Sequence, residues 1–404
     1  MRARFFAGFV TLASLASLGM GCPRASDGAA DATSASVDAA IADSTQNKPF
    51  DASAPDALDA VSPSGSLLLP DEDVGPLLAR LSESPGEFPS DNYVTNETSL
   101  LDVAPALRDP RLEGRAYVGV GPEQNFSYLA MLSPKVAYIV DIRRGNLLEH
   151  MFLRACFEEG KTRSEFLSAL LARAPLPLGT PEREYKGFLG LAAAFQGAKG
   201  DPALRDGSLA RVKKLLDRLH VAHTVADDEE LARIHQAFFD KGLALAYTMK
   251  NSGRKYPTLA ENFSAVDPSG APATFLASEE SYARVRKLVL ENRVLPIVGD
   301  FGGKHALLAI ADDMVARGLL LGAFYTSNVE QYLFDAHTYP NFIASVKAMP
   351  RDDASLLVRV WFDQGKPHPL QKPGQRTTQL TMSADDFVVR AEGKGFASYW
   401  DVVK

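Results

Sequence analysis

Past Leu100 the chain alternates short unbroken apolar runs with stretches in which apolar residues recur three and four apart. Unbroken runs of strand length mark strands buried on both faces, and the three–four spacing marks the stripe of an amphipathic helix. Ala116–Val120 and Val136–Asp141 read as strands, and the helical stretch Phe126–Leu132 between them gives the spacing of a βαβ unit. Val294–Val298 and Leu319–Phe324 read as two further strands joined by a helix over Lys304–Arg317. Leu356–Phe362 reads as a strand at or near the sheet edge. Helical periodicity covers Asn146–Glu159, Arg163–Ala174, Leu209–Leu219 and Glu229–Ala246. The predicted class is α/β, a mostly parallel sheet covered on both faces. A helical insertion at about 160–283 is too long for a simple crossover. The domain is expected to span 67–404, opening on Leu67-Leu68-Leu69 and a short helix around Val74–Leu81 before the Pro/Ser/Gly stretch 82–90.

Upstream of residue 67 the pattern is different. Arg2 and Arg4 precede an apolar run from Phe5 to Leu18 that is too short and too lightly hydrophobic for a stable membrane span, and small residues follow up to Cys22. These are the three parts of a secretory signal. Leu18-Gly19-Met20-Gly21-Cys22 resembles the lipoprotein type, with its leucine one place further back than usual, so ordinary secretion with cleavage nearby stays open. Residues 23–66 are nearly all Ala, Asp, Ser, Thr, Gly and Pro, a composition that cannot bury enough apolar surface to offset its ordering entropy. The expectation is a signal peptide at 1–22, a lipid on Cys22, a disordered tether at 23–66, and a location in the cell envelope. The domain would then be anchored to a membrane and face the periplasm or the exterior.

Composition narrows the chemistry. Of 404 residues, 43 are basic and 50 acidic, for a net charge of −7. No basic surplus points to nucleic acid, and the acidic surplus has a source between Ser26 and Val61, where Asp27, Asp31, Asp38, Asp43, Asp51, Asp56 and Asp59 stand against a single Lys48. Two cysteines, Cys22 and Cys156, exclude a disulfide framework and give no reason to expect a disulfide-linked partner. Zinc-type spacing is absent. His220 and His223 would share one face of a helix without a third ligand, so no metal is expected. Cys156 lies in an apolar helical pattern and reads as buried. No Gly-x-Ser-x-Gly elbow occurs, and no acid–base pair stands out.

In an open parallel sheet, ligands bind outside the carboxyl ends of the strands. Four such ends are polar here: Gly119–Asn125, Asp141–Asn146, Gly299–Gly303 and Tyr325–Tyr332. A glycine lets a ligand approach the backbone closely, although a plain tight turn explains Gly-x-Gly as well. Asp141 stands about where dinucleotide folds carry a ribose-binding acid. Gly299–Gly303 is read as leading directly into a helix whose free N–H groups face a ligand. If the sheet is parallel, the four loops share one edge. The expected ligand-facing residues there are Asp300, Tyr325, Ser327, Asn328 and Glu330. Ser327 and Asn328 have an alternative role as caps of a helix near Val329.

Tyr117–Asn146, Pro296–Phe301 and Phe324–Phe334 resemble blocks of an uncharacterised bacterial family, a domain of unknown function, over roughly 100–362. More distantly, strand-Gly-x-Gly followed by strand-Asp resembles the cofactor half of S-adenosylmethionine-dependent methyltransferases. That likeness implies a Rossmann-like shell, with Gly119, Gly121, Gln124, Asn125, Asp141 and Arg143 toward the cofactor and Asp141 on the ribose. S-adenosylmethionine is then the candidate cofactor, and the ligand is a small nucleoside-like or polyol molecule. The alternative is a non-catalytic envelope protein that binds a ligand or a protein partner. Glu123 replaces a third glycine and Pro122 removes a donor, losses that weigh most against a phosphate cradle.

Overall fold

A computed structural model describes residues 68–174, 187–195, 197–249 and 254–404. The expected signal peptide (1–22), Cys22 and the expected tether (23–66) lie outside them. Six strands form one sheet: β1 (Ala116–Gly119), β2 (Val136–Asp141), β3 (Val294–Val298), β4 (Leu321–Ser327), β5 (Leu356–Phe362) and β6 (Thr377–Ser383). Their order is β3-β2-β1-β4-β5-β6, and every pair is parallel except β5–β6. Register aligns Val118 with Tyr138 on one side and Phe324 on the other. The fold is α/β and Rossmann-like. All residues of β1, β2 and β3 are buried, as their unbroken apolar runs require.

The order reverses at β1: the chain passes to β2 and β3 on one side and returns to β4 and β5 on the other. Such a switch point leaves a crevice between β1 and β4 at their carboxyl ends. β5 is second from the edge, and the edge itself is β6. Thr377-Thr378-Gln379-Leu380-Thr381-Met382-Ser383 carries too few apolar positions to read as a strand by pattern, because an antiparallel edge strand needs no two-sided burial.

Helix Arg144–Glu159 follows β2 and is the hub of the helical section. It packs against β3 and against helices Arg163–Leu171, Pro202–Arg218 and Val225–Lys241. Two helix starts are set by local chemistry further upstream than periodicity suggests. Asp201 accepts from Ala203 N ahead of Pro202, and Thr224 and Asp227 form a capping box. The expected His220/His223 helix face does not exist. Helix Pro202–Arg218 stops before both, and His220 takes a left-handed φ of 54°. His220 Nδ1 meets the Glu72 carbonyl, while His223 lies between Asp217 and Asp228.

The chain ahead of β1 positions the site. Helix Asp71–Leu81 docks where Gly75 N donates to Leu219 O at 2.8 Å, and any β-carbon on Gly75 would collide with the His220 carbonyl. Beyond the helix, Glu83 N bonds Val298 O and Gly86 N bonds Ile142 O, so residues 82–97 cross the carboxyl ends of β3 and β2. Cys156 is buried as expected, and burial pushes its thiol pKa up. Among the described residues no helix is long and apolar enough to cross a membrane.

Candidate functional site

A cavity of about 440 Å³ opens at the switch point. After β1 it is lined by Gly121 and Gln124, after β2 by Asp141 and Arg143, after β3 by Asp300, and after β4 by Tyr325, Ser327 and Asn328. These residues come from all four polar strand ends, which the parallel sheet gathers on one edge. A further wall is the crossing segment, which adds Phe88, Asn92, Thr95, Asn96 and Glu97. Tyr247, Tyr256, Tyr332 and Phe362 supply aromatic surface.

Three predicted residues lie elsewhere. Gly119 is packed tightly against Asn125 and Tyr117, and a β-carbon there would overlap both side chains. Asn125 is fully buried. It accepts from Tyr117 OH at 2.7 Å and donates to the carbonyls of Val120, Gly121 and Pro122, so it ties the β1 loop from beneath. Glu330 is fully buried on the far side of β4, where Thr326 OH, Tyr339 OH and Arg359 Nε donate to it at 3.0, 2.8 and 2.6 Å. Strand alternation explains the difference: Tyr325 and Ser327 point into the cavity while Thr326 between them points toward Glu330.

The remaining predicted residues divide by how much bonding capacity the fold already uses. Asp141 is held by Arg143, whose backbone N, Nε and Nη2 donate at 2.9, 3.0 and 2.9 Å. Arg143 also reaches the Asp91 carbonyl. Asp300 accepts from Gly302 N, and its own N–H goes to Glu83. The helix expected directly after this loop begins only at Ala306, so its first N–H groups are not presented by Gly299–Gly303. Asn328 stands at the N-cap position of helix Val329–Asp335 but makes no side-chain cap bond; its side chain lies at the cavity wall, where it hydrogen-bonds Tyr332.

Sequence reading did not find Glu97, the polar centre of the cavity floor. It is 1% exposed. Tyr325 OH and Ser327 Oγ donate to its Oε1, Ser327 at 2.7 Å, and Gln379 Nε2 donates to Oε2 at 3.1 Å. Gln124 Nε2 donates to the Tyr325 oxygen, which commits the Tyr325 proton to Glu97. Burial raises the Glu97 pKa, while its hydrogen bonds pull the other way. Nearby, burial pushes Glu123 up to about 8 although Thr95 N bonds both its oxygens. Asn146, Glu149 and His150 extend this buried polar layer along one face of helix Arg144–Glu159. The Glu149 carboxylate has no hydrogen-bond partner among the described residues, and burial raises it well above the ordinary carboxylate range. Among the described residues no cluster of His, Cys, Asp or Glu is placed to hold a metal.

A family profile described as a domain of unknown function (DUF7790) matches residues 93–174 and 217–396. The chain belongs to that family. The DUF7790 match contains all six strands, the four loops and the wall from Tyr93 to Glu97, and it passes over 175–216 within the helical section. No curated protein matches the chain.

Proposed function

We propose that the protein is exported and membrane-tethered, and that its switch-point cleft binds a small nucleoside-like or polyol molecule on a methyltransferase-like shell. S-adenosylmethionine is the first candidate. The observation that carries this reading is the single cavity lined from all four strand ends, of a volume suited to a small metabolite. Asp141 has the role of hydroxyl acceptor and the aromatic side chains that of flat walls for a base. A hydrogen bond to a carboxylate contributes about 1.5–3 kcal/mol. Asp141→Ala is therefore expected to weaken binding roughly tenfold or more, measured by titration calorimetry with S-adenosylhomocysteine and S-adenosylmethionine. Equal affinity in the folded variant removes Asp141 from the site.

The Arg143 clamp on Asp141 supports a second reading, a non-catalytic envelope protein whose ribose acid is already neutralised. On that reading adenosyl compounds give no heat with the wild type, and a thermal-shift screen of polyols finds the occupant.

The tether has its own test. Cys22→Ala is expected to move the protein out of the membrane fraction or to leave an unprocessed precursor. An unlipidated mature N-terminus downstream of Cys22, seen by mass spectrometry, replaces anchoring with plain secretion.

A further inference from the structure

Seven described residues other than glycine have positive φ: Asn92, Ser133, Ala172, His220, Asn292, Ser327 and His337. Ser133, Ala172, His220, Asn292 and His337 lie at or just past helix C-termini, where a left-handed residue is the ordinary way to close a helix. Asn92 and Ser327 do not, and both line the cavity. A serine with φ of 51° stores strain, which persists where surrounding packing holds it and concentrates at functional sites.

The local geometry around Ser327 is that of an elbow. The β4–β5 register slips between Tyr325 and Ser327, Ser327 ends the strand, and a helix starts at Val329. A bulge followed by a sharp strand-to-helix turn lifts a side chain out of the sheet edge. The hydroxyl so presented donates to Glu97 at 2.7 Å. The other donors to Glu97, Tyr325 and Gln379, are neutral groups that fix the plane of its carboxylate.

We propose that Ser327 is a nucleophile, that Glu97 is its proton acceptor, and that the cleft performs acyl transfer on a small carboxylic ester or thioester. Ser327 Oγ bonds to the acyl carbon as its proton passes to Glu97. The bond from that carbon to the leaving oxygen or sulfur breaks, and the leaving group takes the proton from Glu97. Water then attacks the acyl-serine, giving one proton to Glu97, which returns it to Oγ; the net change is ester plus water to acid plus alcohol, or thioester plus water to acid plus thiol. Asn92 and Asn96 line the same space, and their carboxamides would supply N–H donors to the carbonyl oxygen. Burial raises the Glu97 pKa, the direction a base working near neutral pH needs. This inference rests on the cavity and not on a nucleoside-like occupant.

The test uses the whole protein and an alkyl fluorophosphonate, which loses fluoride to an activated serine oxygen, with peptide mass spectrometry as readout. The expected result is an adduct on Ser327, absent in Ser327→Ala and in Ser327→Gly, where glycine adopts the positive φ freely. General-base assistance is worth roughly 100-fold or more, so Glu97→Gln is expected to slow labelling by that factor. Wild-type labelling is expected to rise with pH through one ionisation that Glu97→Gln lacks. No adduct on Ser327 in folded wild type, or an unchanged rate in Glu97→Gln, overturns the proposal. If Glu97→Gln does not fold, a flat wild-type pH profile from about pH 5 to about pH 9 overturns it. Adenosyl titration reads out separately, so each proposal can fail alone.

Discussion

Arg359→Ala is expected to destabilise the protein by about 3–5 kcal/mol, the cost of leaving a buried partner charge uncompensated. Arg359 is 1% exposed and Glu330 is fully enclosed, with 2.6 Å between Arg359 Nε and the carboxylate. Thr326 and Tyr339 occupy further acceptor positions on Glu330, and the guanidinium lies 4.9 Å from the centre of the Phe387 ring. Removing the arginine strands an anion that water cannot reach. Replacing both members by apolar residues of similar volume is expected to recover most of the loss. Urea denaturation measures both variants. A cost below about 1 kcal/mol for Arg359→Ala contradicts this account of the pair. Because the pair lies on the far side of β4, ligand affinity of the folded fraction should not change.

Stability is expected to fall as pH rises from about 6.5 to about 8. Burial holds Glu123 up to about 8, against an ordinary value of 4.5. The folded state therefore keeps a proton that the unfolded chain releases, and that contribution is fully present only below about 4.5. Glu97 and Glu149 shift in the same direction, also through burial. His150 and His235 act oppositely: burial depresses both to about 4, so their contribution is lost as pH falls from 6.5. The two effects offset each other below 6.5, and above it only the carboxyl effect remains. One carboxyl kept neutral across that window contributes roughly 2 kcal/mol of slope. Glu123→Gln should flatten part of the slope while keeping an acceptor for Thr95 N. Stability that is level or rising between those pH values, by urea midpoints, would rule this out.

The parts of the fold legible in sequence are those where burial writes a pattern. β1 to β5 appear as apolar runs because a central parallel strand is covered twice. β6 escapes because its pairing is antiparallel and at the edge. The candidate site is legible to the same extent: Asp300, Tyr325, Ser327 and Asn328 follow from strand ends, and Gly121, Gln124, Asp141 and Arg143 from strand ends together with the methyltransferase likeness, and all eight line the cavity. Glu97 follows from none, since it lies in a crossing segment without periodicity, and its partners Tyr325 and Gln379 are brought to it only by the assembled sheet. Glu330 lies away from the cavity, and its closeness in sequence to Ser327 hides the alternation that turns it to the opposite face. Asn125 ties the β1 loop instead of lining the cavity, and a carboxamide in either role looks alike in sequence.

Hydrogen exchange read by mass spectrometry, with and without saturating S-adenosylhomocysteine, tests the central claim that the switch-point cleft is the ligand site. The account predicts slowed exchange in peptides covering 92–97, 120–125, 141–146 and 325–330 together, and unchanged exchange in the distant helix Pro202–Arg218. Protection confined to the helical section, or no change in any of these four segments at millimolar ligand, contradicts it.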